Sequence, residues 1–463
     1  MIKLRYTKAK NIIIAVLTIA AAGLTSHLWF DRIANRSFFH TALAPFSASR
    51  TDTAAQAAHI LKPYRIIVGY GDGMFNAICS DMADRSEAVA GNALLEAALE
   101  NGAFAKADPL DWEGLLSQPL YLYQYTFNVP ADFFVGVFNR RNVVNIQAQT
   151  DTFNAIALVP GRTPDESVLV AFIDETRHMM YTYSVQAESE ALFEALAAGA
   201  ALQDRYTGGV FYVSSIQADL AMLEGSHFIP QWRHAYAAYN WLEVSNPYAY
   251  AGSLLLEPIR RQVEMLFDNP DGIYPSRGSG GVYTYSNENT VVRYYANNVL
   301  EYISYSPPLD RSVGSSMAGD FLKAMAFLGK DRNVATDYYL SSVEPIVDGH
   351  IFYFDYTASQ FPIQWPENFS SDIGLKSPIE ITVENNQVFK YRKLVYNFEV
   401  GSTNLWGLGT SFLDVYDNLR IDADDALIQL DGVSLGYKME SADRLGMSWF
   451  MGMNGRYIVT PAQ

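Results

Sequence analysis

Several stretches of this 463-residue chain carry residue types that could do chemistry, and each is short of a partner. Gly69-Tyr70-Gly71-Asp72-Gly73 follows a β-branched run, where a phosphate-cradling loop would sit. The dinucleotide fingerprint needs a third glycine where Met74 stands, and a phosphate-binding lysine is absent, so the stretch reads as a tight turn. The seven histidines (His27, His40, His59, His178, His227, His234 and His350) form no H-x-x-x-H pair, and none neighbours the single cysteine, Cys79, in sequence. His227 and His234 could share a helical face, but Pro230 lies between them; no metal site is indicated. Asp422-Ala423-Asp424-Asp425 starts like a calcium loop yet lacks the glycine at the sixth place and the closing glutamate, so it reads as a solvated acidic turn.

Covalent catalysis finds no foothold either. S-x-x-K does not occur; G-x-S-x-G occurs once, as Gly432-Val433-Ser434-Leu435-Gly436, inside a run that reads as strand rather than at a strand-to-helix turn, and Arg277-Gly278-Ser279-Gly280-Gly281 reads as a flexible turn into a strand. Paired carboxylates for hydrolysis cannot be selected by spacing in a chain with 50 acidic residues. No cofactor and no catalytic residue is assigned. The tyrosines of VYTYS (282–286) and VVRYY (291–295) alternate as cross-strand packing would place them, with a ligand groove or protein interface as the other reading.

With 33 basic against 50 acidic residues, the net charge is −17, and four of the cations crowd into the first ten positions. The rest is more acidic still, which excludes nucleic acid and anionic lipid headgroups as partners of the body of the chain. One cysteine allows no intramolecular disulfide. Packing must hold the fold, and 30 tyrosines and 26 phenylalanines can supply it.

The elements that position these residues begin with an apolar run at 12–30, free of acidic or permanently charged residues. At 1.5 Å per residue it spans about 28 Å, close to the hydrocarbon thickness of a bilayer. Lys3, Arg5, Lys8 and Lys10 precede it, so residues 1–11 are expected in the cytoplasm and the bulk of the chain outside the cell. Ala20-Ala21-Ala22 offers a cleavage-site alternative, but the run continues through Trp29 and Phe30, which favours an uncleaved single-span anchor. Thr18, Ala22 and Ser26 place small residues on one face, the spacing at which membrane helices approach closely.

Residues 31–62 read as a spacer. The remainder is expected to be α+β with antiparallel sheets: an N-terminal external domain with a helical connector over 63–270, a middle domain over 271–370 and a C-terminal domain over 371–463. In the first, helices are expected at 86–103, 111–116 and 189–202. Strands are expected at 65–68, 120–127, 133–138, 143–149, 155–159, 168–173 and 180–185. After a strand at 209–213, aromatic-rich text reads as helical, and 254–267 as a helix despite Pro258. The last two domains repeat the order hairpin, helix, hairpin, with helices at 315–327 and 411–419, as a probable tandem repeat.

Residues 280–307, GGVYTYSNENTVVRYYANNVLEYISYSP, resemble the YycH family of two-component-system regulators. So do F-Y-F-D-Y at 352–356, Phe361-Pro362-Ile363, IEITVENNQVFKYRKLVYNF at 379–398, and the closing Leu435-Gly436-Tyr437 with Ser448-Trp449-Phe450. The resemblance implies a single-span membrane protein that modulates an essential cell-wall sensor histidine kinase of Gram-positive bacteria without catalysis. It implies as partners that kinase and a YycI-like regulator, with membrane helices in contact; it carries over no catalytic residue. The competing expectation is a membrane-tethered enzyme or binding protein acting on cell-envelope polymers, which a deep pocket with two converging carboxylates would mark. A weaker third is an inhibitor or assembly factor for secreted proteins.

Overall fold

In a computed structural model, residues 61–462 are described apart from 79–94, 96–101, 139–149, 162–166, 187–209, 308–315, 332–336, 423–427 and shorter stretches. The expected anchor at 12–30, with Thr18, Ala22 and Ser26, lies outside the described residues, as do the tail, nearly all of the spacer, the strand at 143–149 and the helix at 189–202. Only Leu95 and the last two positions of the expected 86–103 helix are described, and Ala103 opens a strand. Among the described residues no helix is long and apolar enough to cross a membrane. Residues 53–463 form one compact unit.

The first sheet collects β1 (Arg65–Tyr70), β2 (Phe75–Ile78), β3 (Ala103–Pro109), β4 (Pro119–Pro130), β5 (Thr152–Val159), β6 (Val168–Asp174), β7 (Met179–Val185), β8 (Val210–Ser214) and β9 (Phe228–Trp232). Their order is β3-β7-β6-β5-β4-β1-β2-β8-β9, antiparallel at every step. Gly71 and Gly73, at φ of 82° and 81°, turn β1 into β2, a conformation that glycine adopts without penalty. Alternation sends Ile67, Leu122 and Ala157 to one face, covered by α1 (Trp112–Leu116), whose first turn is capped by Asp111. Tyr121, Tyr123 and Ile156 go to the other face, against α2 (Ala131–Phe138).

That second helix corrects an expectation. Residues 133–138 read as a strand, but the run is apolar at nearly every position, and a short run of that kind has no period to distinguish strand from helix. Local bonding decides it: Ala131 donates its N–H to Asp151, and Asp132 accepts from the N–H of Phe133. Phe133, Phe134 and Val137 then bury one helical face. The aromatic text after 213, expected to be helical, is also strand: β9, then β10 (Tyr236–Tyr239), β11 (Leu242–Ser245) and the two-residue pair β12 (Ala249–Tyr250) and β13 (Ser253–Leu254). Aromatic residues suit half-buried pleated surfaces, and Pro230 is tolerated because β9 ends its sheet. The helix expected at 254–267 is present as α3 (Leu256–Leu266), with Pro258 in the first turn, where no intrahelical donor is lost.

The second large sheet runs through β14 (Tyr274–Arg277), β15 (Tyr283–Ser286), β16 (Thr290–Tyr294) and β17 (Val299–Ser304). It continues with β18 (Asp337–Ile346), β19 (Gly349–Ala358), β20 (Phe361–Gln364), β21 (Ile379–Glu384), β22 (Gln387–Leu394) and β23 (Asn397–Val400). β24 (Leu405–Leu408) pairs only with β10, and β25 (Gly432–Ser441), β26 (Arg444–Met453) and β27 (Arg456–Pro461) complete the set. The path is β14-β15-β16-β17-β22-β21-β19-β20-β25-β26-β11-β23, with β18 on β19 and β27 on β26. The expected order of hairpins and helices is present, with α4 (Met317–Leu328), α5 (Phe369–Ile373) and α6 (Phe412–Asp422) between the strands. The hairpin β21–β22, however, lies between β17 and β19, so the chain passes position 371 into strands that complete the preceding sheet. Only the β20–β25 contact within this sheet is parallel.

Helix α4 starts at Ser316, whose side chain accepts from the N–H of Gly319, and lies on one face of β19, β21 and β22. Phe321 fits between Phe352 and Phe354 of β19 and meets Phe133 of α2 edge-on, 5.3 Å between ring centres. The first sheet thereby docks on the second through α2 and α4.

Candidate functional site

Three polar constellations survive folding, and they differ in what can reach them. Beneath α4, Lys393 Nζ lies 3.1 Å from Asp331 Oδ2, both fully buried. Tyr391 donates to the same oxygen at 2.6 Å, and Gln262 of α3 donates to Oδ1 at 2.5 Å. Burial pushes the lysine down from its usual value while the aspartate opposes the shift. The cluster ties α3 to β22 and the α4 exit, and nothing in solution touches it. Its role is structural.

The second constellation crosses the open face of the sheet. Register aligns Arg293 with Glu301, Glu301 with Arg392, Arg392 with Glu380, and Glu380 with Tyr353, on β16, β17, β22, β21 and β19. One row of the pleat therefore alternates in charge over four strands, because equal offsets from each turn bring these positions opposite one another. Arg293 is 3.2 Å and Lys390 3.3 Å from the Glu301 carboxylate, and Tyr295 donates to it at 2.7 Å. Arg392 pairs with Glu380, which also accepts from the backbone of Lys376 and Ser377. Burial raises the Glu301 carboxyl, but Tyr295, Lys390 and Arg293 outweigh it and hold the pKa below the usual range. A carboxylate held ionised is a poor general acid. Trp365, Phe369 and Leu375 cover one end of this face against Val299 and Leu394.

The third lies where the two sheets meet. Tyr64 and Arg65 at β1, Tyr212 of β8, Pro230 of β9, Thr357 of β19, Phe361 and Pro362 of β20 and Leu435 of β25 line an open cleft of about 350 Å³, solvent mouth included. Its lining holds one cation and no carboxylate. Asp355, two residues before Thr357, is hydrogen-bonded by Ser341 and Ser377, and burial lifts its pKa to about 6.

Other sequence candidates disperse. Thr18, Ala22 and Ser26 are outside the described residues, as are His27, His40, His59 and His234. His178 occupies a β6–β7 turn at φ 53°, and His350 sits 2.8 Å from the buried Asp320. No group of three metal-ligating side chains comes together among the described residues. Asp422 ends α6, and Asp424 and Asp425 are not described. Among the interleaved tyrosines, Tyr285 and Tyr294 are buried, and Asn246 donates to the Tyr294 hydroxyl at 2.8 Å, which is packing. Arg65 had no distinguishing signal in sequence, since a cation flanking a strand is ordinary.

No family model and no curated protein matches this sequence. Among solved structures, the fold is similar to that of YycH from Bacillus subtilis: TM-score 0.52, 12% sequence identity, 88% of this chain and 97% of that one covered. An uncharacterized protein from Eubacterium rectale matches more loosely, at TM-score 0.34 and 11% identity over 52% of this chain and 89% of the other. The chain thus has a YycH-like fold.

Proposed function

We propose that this chain is a membrane-anchored extracytoplasmic regulator, which modulates a sensor histidine kinase by protein contact rather than by catalysis. The observation that carries the proposal is the likeness in fold to YycH along nearly the whole of both chains. Glu301 and Glu380 are each clamped by an arginine. Arg293 and Arg392, each about a third exposed, are held in fixed orientations by the buried Glu301 and Glu380, which suits recognition by contact.

In this reading residues 12–30 span the membrane, 1–11 stay in the cytoplasm, and Thr18, Ala22 and Ser26 form the face that meets the kinase helices. A YycI-like protein would join through the external part. A helix biases the kinase only if it binds the signalling states unequally. The test is cross-linked pull-down of the full-length protein against a form carrying an unrelated membrane helix, together with the Ala22→Leu/Ser26→Leu variant. The kinase should be recovered with the native helix alone, and the double variant should lose it. Equal recovery from all three forms would overturn the helix-mediated mechanism.

A further inference from the structure

Lys393 is a primary amine sealed against a carboxyl group. Its side chain is 2% exposed and that of Asp331 0%, with Nζ 3.1 Å from Oδ2. Tyr391 donates to the same Oδ2 at 2.6 Å, and Gln262 donates to Oδ1 at 2.5 Å. The rings of Tyr391 and Phe327 meet edge-on at 5.5 Å, and Tyr356 donates to the Leu394 carbonyl at 2.9 Å, so aromatic residues close the surroundings. Both sides of the contact are fixed. β22 is bonded to β17 and β21 along its two edges, and the Asp331 amide donates to the Leu328 carbonyl at the end of α4. Two groups that condense slowly as solutes in water are thus held together at an effective concentration no free encounter reaches.

A buried ion pair offsets its desolvation cost poorly, whereas an amide carries no charge at all. Burial pushes the lysine down toward its neutral, nucleophilic amine, against the pull of Asp331, and a proton passed to the carboxylate leaves an uncharged pair. Gln262 then polarises the Cγ–Oδ1 carbonyl, as a donor to a developing oxyanion does. Tyr391, whose hydroxyl burial and Asp331 keep protonated, faces the oxygen that leaves. The geometry points to a spontaneous isopeptide cross-link between the side chains of Lys393 and Asp331. The Nζ–Cγ bond forms and the Cγ–Oδ2 bond breaks. The two protons that the ammonium loses depart with Oδ2 as one water, and no oxidant, reductant or activating nucleotide takes part. The amide closes a covalent ring over residues 331–393, enclosing β18 to β21, and fastens the exit of α4 to β22. In a chain whose single cysteine allows no intramolecular disulfide, such a ring restricts the unfolded state as a disulfide would. The inference stands apart from the kinase reading, because the link is detected in the protein alone.

Tryptic peptide mapping by mass spectrometry of the full-length protein, purified folded in detergent, tests it. The same chain recovered from inclusion bodies and kept in urea is the control. The folded protein should yield a branched peptide in which Lys393 is uncleaved and joined to the peptide carrying Asp331, lighter than their sum by one water. The unfolded chain should yield none, since only the fold brings the two residues together. Lys393→Arg keeps a buried cation but offers no primary amine, so the denatured variant should show its full mass with no branched peptide. Separate, unlinked peptides from the folded protein after prolonged incubation would overturn the inference, as would an equal yield of the branched peptide from the chain kept in urea. The folded–unfolded comparison uses the unaltered sequence, so it stands even where Lys393→Arg fails to fold.

Discussion

Gly136 of α2 faces Ala318 of α4 so closely that a β-carbon on the glycine would lie 2.6 Å from the alanine's own. This contact, with Phe133 against Phe321, is where the N-terminal sheet meets the helix that backs the second sheet. Two helix backbones approach closely only where one side chain is missing. Gly136→Ala should therefore destabilise the protein by about 1–3 kcal/mol through overpacking, although alanine is the better helix former. Ala318→Gly should restore part of the loss, and a double-mutant cycle by denaturant unfolding reads the coupling. Additive effects would show that the helices do not meet at this pair.

Removing Lys393 takes from the buried Asp331 the cation that lies 3.1 Å from its Oδ2. Lys393→Met should cost about 3–5 kcal/mol, since Tyr391 and Gln262 supply hydrogen bonds to Asp331 but no charge. The loss should shrink in Lys393→Met/Asp331→Asn, where no ion remains buried. Thermal unfolding of the three proteins distinguishes this from simple loss of packing, which would make the double variant worse.

Asp355 gives a signature in pH. Its folded pKa is raised by burial to about 6, above the unfolded value near 3.9. Between those values the folded protein holds a proton that the unfolded chain has released. Its contribution to stability is thus complete below about pH 4, falls as pH rises toward 6, and is constant above. Asp355→Asn should flatten that limb of the stability–pH curve, measured by urea unfolding at fixed ionic strength. A slope unchanged in the variant would assign it to other groups.

The β21–β22 hairpin turns through Asn385 and Asn386, at φ of 49° and 68°, a two-residue turn with both centres left-handed. Asn386 also accepts from Lys323 of α4. Asn385→Val places a β-branched residue at positive φ and should lower stability by about 1–2 kcal/mol, whereas Asn385→Gly should be near neutral. Comparing the two unfolding midpoints separates backbone strain from any loss of side-chain contact.

Much of the local structure was legible because local physics decides it. Strands β4 to β7 alternate or run apolar between turn signals, and the short helix expected at 111–116 is present as α1, capped by Asp111. Where the apolar pattern had no period, as at Ala131–Phe138, or where aromatics crowded, as over 228–245, the choice fell to long-range partners and the reading failed. Neither Asp151, which receives the first amide of α2, nor Tyr212, opposite Pro230, is adjacent in sequence.

Composition by itself determined the acidic body and ruled out an intramolecular disulfide, because those are sums over residues, while the α+β class was legible in the periods of successive segments. The order of hairpins and helices was also local enough to read. Only tertiary structure decided that β21–β22 would insert between β17 and β19, since strand neighbours are chosen by which faces can be buried together, not by chain order. The same pairing lined up Arg293, Glu301, Arg392 and Glu380 from 293 to 392, and brought Arg65 within one cleft of Thr357 and Leu435. A site assembled from residues hundreds of positions apart has no local pattern, and so the ladder and the cleft exist only in the folded chain.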